Sequence, residues 1–285
     1  MLKSVLWTVL LLIPNALIYA NGPEGAADSG WKLVFEDTFD NSGKLDDQKW
    51  IEYYRPGQAE YKAAQGKGSG KSIKAHYVIE NGILKIRIDK DLPKRKSPLT
   101  GTVSSIQTSR FTWDKETKTA KTIDKFTTKY GWFELRCRMP KGSGLHSAFW
   151  LLQKDADKQE YTLDGQRKKV GDGVVEIDIF EMLGGKVEDR INYFNVHFTK
   201  TGHYKYPFDF DCSKEFHNWA LNWEEGRLTW YLDGKKIKVY EGETPKEEMY
   251  ILLGLYMGSG WTGKVDPEMP FPRDFEIDFL RVWKK

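Results

Sequence analysis

Residues 216–240 read FHNWALNWEEGRLTWYLDGKKIKVY, three short runs of aromatic and β-branched residues broken at Glu225-Gly226 and Asp233-Gly234. Such runs, separated by two-residue turns, are strands in a hairpin series. The same pattern recurs on both sides. HYVIENGILKIRID (76–89) is a hairpin around Asn81-Gly82, and KYGWFELRCRMP (129–140), LHSAFWLL (145–152), INYFNVHF (191–198), MYILLGLYM (249–257) and FEIDFLRVWK (275–284) add further strands. Helical periodicity is scarce, with TPKEEM (244–249) as a candidate single turn. A dozen or more short strands joined by Gly-rich turns predict an all-β fold, a sandwich of two curved antiparallel sheets closed as a jelly roll with one concave face left as a groove.

The 285 residues show no repeat, no linker and no second compositional regime. Residues 1–20, MLKSVLWTVLLLIPNALIYA, have a charged start, an apolar middle and a small residue at the end. That order is a secretory signal peptide, and Pro14 and Asn15 leave the run short for a membrane span. The expected organisation is therefore a signal peptide over 1–20 and one domain over 21–285, secreted to the periplasm or the medium and monomeric. Without Lys3, 43 basic residues face 41 acidic ones, a net charge of about +2. This balance argues against a nucleic-acid partner, which depends on phosphate neutralisation. The basic stretches GKGSGKSIK (66–74) and KDLPKRK (90–96) read as solvated loops or as contacts to an anionic sugar. Cys137 and Cys212 are the only cysteines; two can pair in an oxidising compartment but make no scaffold.

The chemistry concentrates in GVVEIDIFEML (173–183). Side chains alternate along a strand, so Glu176 and Asp178 share a face while Ile177 and Ile179 point into the core. Glu181 is five residues beyond Glu176, and a regular strand would bury it among the isoleucines at high cost. A β-bulge near Ile179-Phe180 returns it to the face of the other two acids. The alternative is a solvated edge strand with a turn beginning at Glu181. Two carboxyl groups on one open face suit retaining glycoside hydrolysis, one as nucleophile and one as acid/base. Asp178 between them would hold the nucleophile's charge and orientation. An internal control exists at Glu276-Ile277-Asp278, where Arg281 stands in place of a third acid, so that segment reads as structural. GKGSGK lacks P-loop spacing, and His197 and His203 match no zinc pattern.

EIDIFE (176–181) resembles the bulged Glu-x-Asp-x-x-Glu signature of glycoside hydrolase family 16, the group of laminarinases, lichenases, agarases, carrageenases and endo-β-galactosidases. LVFEDTFD (33–40), KYGWFELRCRMPKGSG (129–144), SAFWLL (147–152), NVHF (195–198), the hairpins at 216–234 and FEIDFLRVW (275–283) follow the family order, so the similarity covers almost the whole chain beyond the signal. The resemblance implies an endo-acting, retaining enzyme on a linear polysaccharide, with Glu176 as nucleophile, Asp178 as its helper and Glu181 as acid/base. It places His197 at the cleft floor and Trp150 and Trp261 where a ring can stack on a pyranose; packing in the core is the plain alternative for each. It implies no cofactor for catalysis, and a structural calcium ion using Asp278 and backbone carbonyls. Two departures touch the cleft: His146 stands where many β-1,3-glucanases have tryptophan, and KKVGDGVV precedes the signature in place of a Trp-Pro approach. A β-1,3- or mixed-linkage glucan is the expected substrate. A β-galactan (agar, carrageenan, keratan or mucin-type glycan), a transglycosylase and a non-catalytic glucan-binding module are the alternatives. The loops at 55–72, 90–101 and 153–172 would frame the cleft.

Overall fold

The computed structural model describes residues 22–23, 30–41, 43–54, 73–92, 102–114, 119–154, 156, 175–186, 191–198 and 202–285. The signal-like segment, most of the three framing loops and the larger part of both basic stretches lie outside these residues. Along the chain come β1 (Lys32–Asp37), β2 (Tyr77–Glu80), β3 (Ile83–Ile88), β4 (Thr102–Gln107), β5 (Ser109–Asp114), β6 (Thr119–Asp124), β7 (Gly131–Arg138) and β8 (Leu145–Gln153). They are followed by β9 (Glu176–Leu183), β10 (Ile191–His197), β11 (Gly202–Pro207), β12 (His217–Glu224), β13 (Arg227–Leu232), β14 (Lys235–Glu241), β15 (Met249–Met257) and β16 (Arg273–Lys284).

These strands form the expected β-jelly-roll sandwich. One sheet runs β14-β13-β12-β7-β16-β3-β2, with β1 also pairing to β16; the other runs β11-β10-β9-β8-β15. The length of β16 lets β3 pair with residues 273–277 and β1 with residues from 280 onward on the same strand. The turns form where the sequence places them. Asn81 and Gly82, and likewise Asp233 and Gly234, have positive φ in succession, the backbone of a type I′ hairpin.

The core lies between the sheets. Phe133, Leu135, Trp219, Trp223 and Trp230 from one sheet meet Phe149, Leu151, Ile177, Ile179, Phe180 and Leu253 from the other. Each such side chain contributes about 1.5–3 kcal/mol when fully buried. Cys137 and Cys212 are both buried free thiols. Desolvation drives both thiol pKa values up, that of Cys212 to about 12.

One local reading changes, and one strand is new. TPKEEM forms no helical turn: Thr244 is fully buried, accepts from the Gly226 N–H through its hydroxyl and donates to the Glu224 carbonyl. Those bonds stitch the segment onto the β12–β13 turn. The stretch TVSSIQ is a strand, β4, buried at every position. Its two serines find carbonyls in the interior: Ser105 donates to Leu253 (2.8 Å) and Ser104 to His76 (2.6 Å).

Candidate active site

The acids of β9 are arranged by one extra residue. Against β8, Phe180 pairs with Phe149 but Asp178 pairs with Trp150, leaving Ile179 without an opposite number. Against β10, the span from Ile177 to Glu181 faces only Val196 to Tyr193. Both ladders therefore show the bulge. Ile179 and Phe180 enter the core side by side, and Glu181 turns back to the open face with Glu176 and Asp178. From the opposite sheet, the Trp230 indole donates to the Asp178 carbonyl (3.2 Å), pinning the bulge from beneath.

On the open face, one polar atom each of Glu176, Asp178 and His197 lies within 4.8 Å of the other two. His197 is the cross-strand partner of Glu176. Its Nε2 sits 3.6 Å from Glu176 Oε1 and 3.5 Å from Asp178 Oδ2, so it faces the acids and not the core. Asp178 is only 2 % exposed. Burial is the main cause that pushes its carboxyl well above the usual carboxylate range; the charge of Glu181 adds to this, and a hydrogen bond from Asn195 opposes it. The shift favours the uncharged carboxyl on a face crowded with acids.

Glu181 has a neighbour at each oxygen. Asn195 Nδ2 donates to Oε2, and His146 Nε2 lies 3.2 Å from Oε1. His146 reaches Glu181 diagonally, since its direct partner is Leu183. The His146 ring stacks on Tyr256 (centroids 5.2 Å apart, planes at 30°) and meets the edge of Trp261 (5.1 Å, 81°). Tyr256 leans over Gly254, where a Cβ would come within 2.5 Å of its hydroxyl; the glycine leaves the space that this ring occupies.

Trp261 is 48 % exposed and also packs edge-on to Tyr193 (5.4 Å, 74°), so a ring surface stands free at the border of the acids. The segment that carries it lines an open groove of about 860 Å³ with Lys90, Met257, Lys264 and Phe271. Trp150 differs from expectation. It shares the acids' side of the sheet but is only 7 % exposed, packed in a cluster with Tyr54, Val103, Tyr250 and Tyr256. It backs the site from below and offers no open ring to a sugar.

Asp278 is likewise committed. Its carboxylate accepts from Arg136 Nη1, and among the described residues it belongs to no cluster of three acidic, histidine or cysteine ligands. A carboxylate already neutralised by a guanidinium does not fit a calcium site, which needs several converging oxygens.

Asn195, His203, Tyr193 and Tyr256 were absent from the sequence-based site. A signal for part of this set exists: Asn195 and His197 alternate on one face of β10, and His203 follows one strand later, opposite Asn195.

Fold and site together define a β-sandwich whose open sheet presents two glutamates about a buried aspartate, the framework of a retaining glycoside hydrolase. The chain belongs to glycosyl hydrolases family 16, whose sequence model matches residues 90–279. It is 26 % identical to the glucan endo-1,3-beta-glucosidase A1 of Niallia circulans over 92 % of its own length, and spans 39 % of that protein. It is 26 % identical to a beta-glucanase of Rhodothermus marinus, covering 89 % of this chain and 85 % of the relative. Among solved structures, a GlcNAcα1-4Gal releasing endo-β-galactosidase from Clostridium perfringens superposes with TM-score 0.70 and 28 % identity, over 90 % of this chain and 63 % of that one. The catalytic domain of an endo-1,3-beta-glucanase (laminarinase) from Thermotoga petrophila does so with TM-score 0.66 and 25 % identity, over 90 % and 98 %.

Proposed function

We propose that the protein is an endo-acting β-glycosidase that hydrolyses a linear polysaccharide with retention, by double displacement. Glu176 attacks the anomeric carbon and forms the glycosyl-enzyme. Glu181 first protonates the departing oxygen and then takes a proton from the attacking water. Asp178 lies between them, its carboxyl pushed up by burial, and orients the nucleophile. The observation that carries this reading is the bulge at Ile179, seen in both flanking ladders, which puts Glu181 on the face of Glu176. Side chains alone perform this chemistry, and no cofactor is required.

The substrate we propose is a β-1,3- or mixed-linkage glucan, supported by the glucanase relatives. Trp261 would stack on a pyranose at the groove, with His197 and His146 in reach of sugar hydroxyls. A β-galactan is the second reading. It is favoured by His146 in place of the glucanase tryptophan and by the structural likeness to an endo-β-galactosidase. We further propose that residues 1–20 are a signal peptide and that residues 21–285 act as one secreted, monomeric catalytic domain. No helix among the described residues is long and apolar enough to cross a membrane.

Reducing-end release from laminarin, lichenan, agarose, carrageenan, keratan and mucin glycans, with Glu176→Ala alongside, tests the assignment. Oligosaccharides from one substrate, first formed as the β-anomer and lost in the variant, are expected. Longer products in place of net hydrolysis would mark a transglycosylase. Binding of glycan with no bond cleaved anywhere in the panel would overturn the enzymatic reading.

A further inference from the structure

Glu181 is tied to a residue that touches neither it nor the other acids. Asn195 donates from Nδ2 to Glu181 Oε2, and its Oδ1 lies 2.9 Å from His203 Nδ1. The polarity of this chain follows from the end that cannot donate. An ionised carboxylate only accepts, so the amide nitrogen of Asn195 must face Glu181 and its oxygen must face His203. With Glu181 ionised, the chain is complete when His203 carries a proton on Nδ1. An asparagine amide is nearly symmetric in shape, and turning it over would set Oδ1 against the carboxylate. The Nδ1–H of His203 is what selects the productive orientation.

We propose that His203, acting through Asn195, is a positioning residue that stabilises the ionised form of Glu181. The proposal rests on the reading of Glu181 as acid/base and extends it to a second strand pair. The backbone supports the same relay, because Asn195 and His203 are direct cross-strand partners between β10 and β11. On β11 the alternate residues Tyr204 and Tyr206 pack on the core, which turns His203 to the side of the acids.

The relay also divides the labour of the two Glu181 oxygens. With Oε2 held by Asn195, Oε1 is the oxygen left to carry the transferable proton, beside His146. Among the described residues, the other titratable groups around Glu181 are Glu176 and Asp178 on its own strand, His146 on β8, Tyr193 and His197 on β10, Lys205 on β11 against Tyr193, and Tyr256 on β15. Of these, Asp178 shares the Asn195 amide.

The test is a carbon-13 NMR titration of the mature protein labelled at the glutamate carboxyl, with Glu181 assigned by its loss in Glu181→Gln. Wild type, His203→Leu and His203→Asn are compared. Asparagine places an N–H where the imidazole has Nδ1, whereas leucine has no donor. In His203→Leu the Glu181 midpoint should rise by about one pH unit, a tenfold change in proton affinity and the scale of one hydrogen bond to a charged group. His203→Asn should stay close to wild type. His203 is exposed on an edge strand, so the fold should survive, which thermal unfolding checks; His203→Ala, carrying no added apolar bulk, has the same expectation as leucine. An unmoved midpoint in the leucine and alanine variants, or an equal rise in His203→Asn, overturns the relay. The alkaline limb of kcat/KM on the best substrate should move with the midpoint. If the midpoint moves but the wild type cleaves no glycan, the relay stands and the hydrolase assignment falls.

Discussion

The tripeptide Glu-Ile-Asp occurs on β9 and again on β16, and the two copies meet opposite fates. On β16, Glu276 is paired with Arg138 and Asp278 with Arg136, both supplied by β7. On β9, the flanking strands β8 and β10 contain no lysine or arginine; they offer His146, Asn195 and His197 instead. Both strands also carry a register shift beside the aspartate, between Ile277 and Phe279 on β16 and at Ile179 on β9. Sequence and even backbone irregularity are thus shared. What separates a structural acid pair from a reactive one is the charge on the neighbouring strands. Guanidinium groups neutralise the first, while the second is left to share protons.

The sharpest break of that comparison is to remove the acids one strand at a time. Glu176→Ala and Glu181→Ala should each lower kcat/KM by a hundredfold or more, while Glu276→Ala leaves it within about twofold; initial rates on the preferred glycan, with circular dichroism to verify folding, decide it. Normal turnover in either β9 variant would end the assignment.

A second acid of the eight-stranded sheet sharpens the point about cations. Glu134 on β7 lies opposite Arg281 on β16, but Arg281 bonds Glu36 (2.7 Å), and the buried Glu134 carboxyl is pushed up to about 7, chiefly by desolvation and against the Gly22 N–H and the Arg281 charge. Because the folded state raises this group above its ordinary value of 4.5, its penalty is absent below about pH 4.5, grows as pH rises, and is complete above about pH 7. Glu134→Gln should therefore stabilise the protein at pH 8 by up to about 3 kcal/mol. Chemical unfolding at pH 8 and pH 4 reads this, and a gain that persists undiminished at pH 4 would contradict it.

Asp178→Asn should cost activity one to two orders of magnitude less than Glu176→Ala, because the amide resembles the neutral carboxyl that burial favours; parallel kcat values test it. The smallest effect belongs to Arg136→Ala, which strips a partly exposed partner from Asp278 and should cost roughly 1 kcal/mol or less of stability with kcat unchanged. Added calcium should not alter the melting temperature of the wild type, since Arg136 already meets the Asp278 carboxylate.

The all-β architecture was legible because its signals are local. Asn81-Gly82 and Asp233-Gly234 dictate their turns through backbone conformations that few residues adopt, and the odd spacing of Glu181 betrays the bulge within six residues. β4 was not legible, since Thr102, Ser104, Ser105 and Gln107 give it no apolar alternation, and only strand packing supplies the carbonyls that accept from its serines. The hold on Glu181 was hidden for a related reason. His146 meets it diagonally and His203 acts through a partner across a ladder, so both depend on registers between strands that no single stretch reveals. Trp150 misled in the opposite direction: its strand face was right, but Tyr54 and Val103, distant in sequence, close over it.

Trp261 gives the molecule an optical consequence. This residue is 48 % exposed, whereas Trp219, Trp223 and Trp230 are sealed in the core. A water-borne quencher such as iodide therefore reaches its indole before those of the core, and Trp261 emits further to the red than they do. A glycan lying across that ring would dim the quenching and shift the emission to the blue, so the protein carries its own fluorophore at the place where occupancy matters.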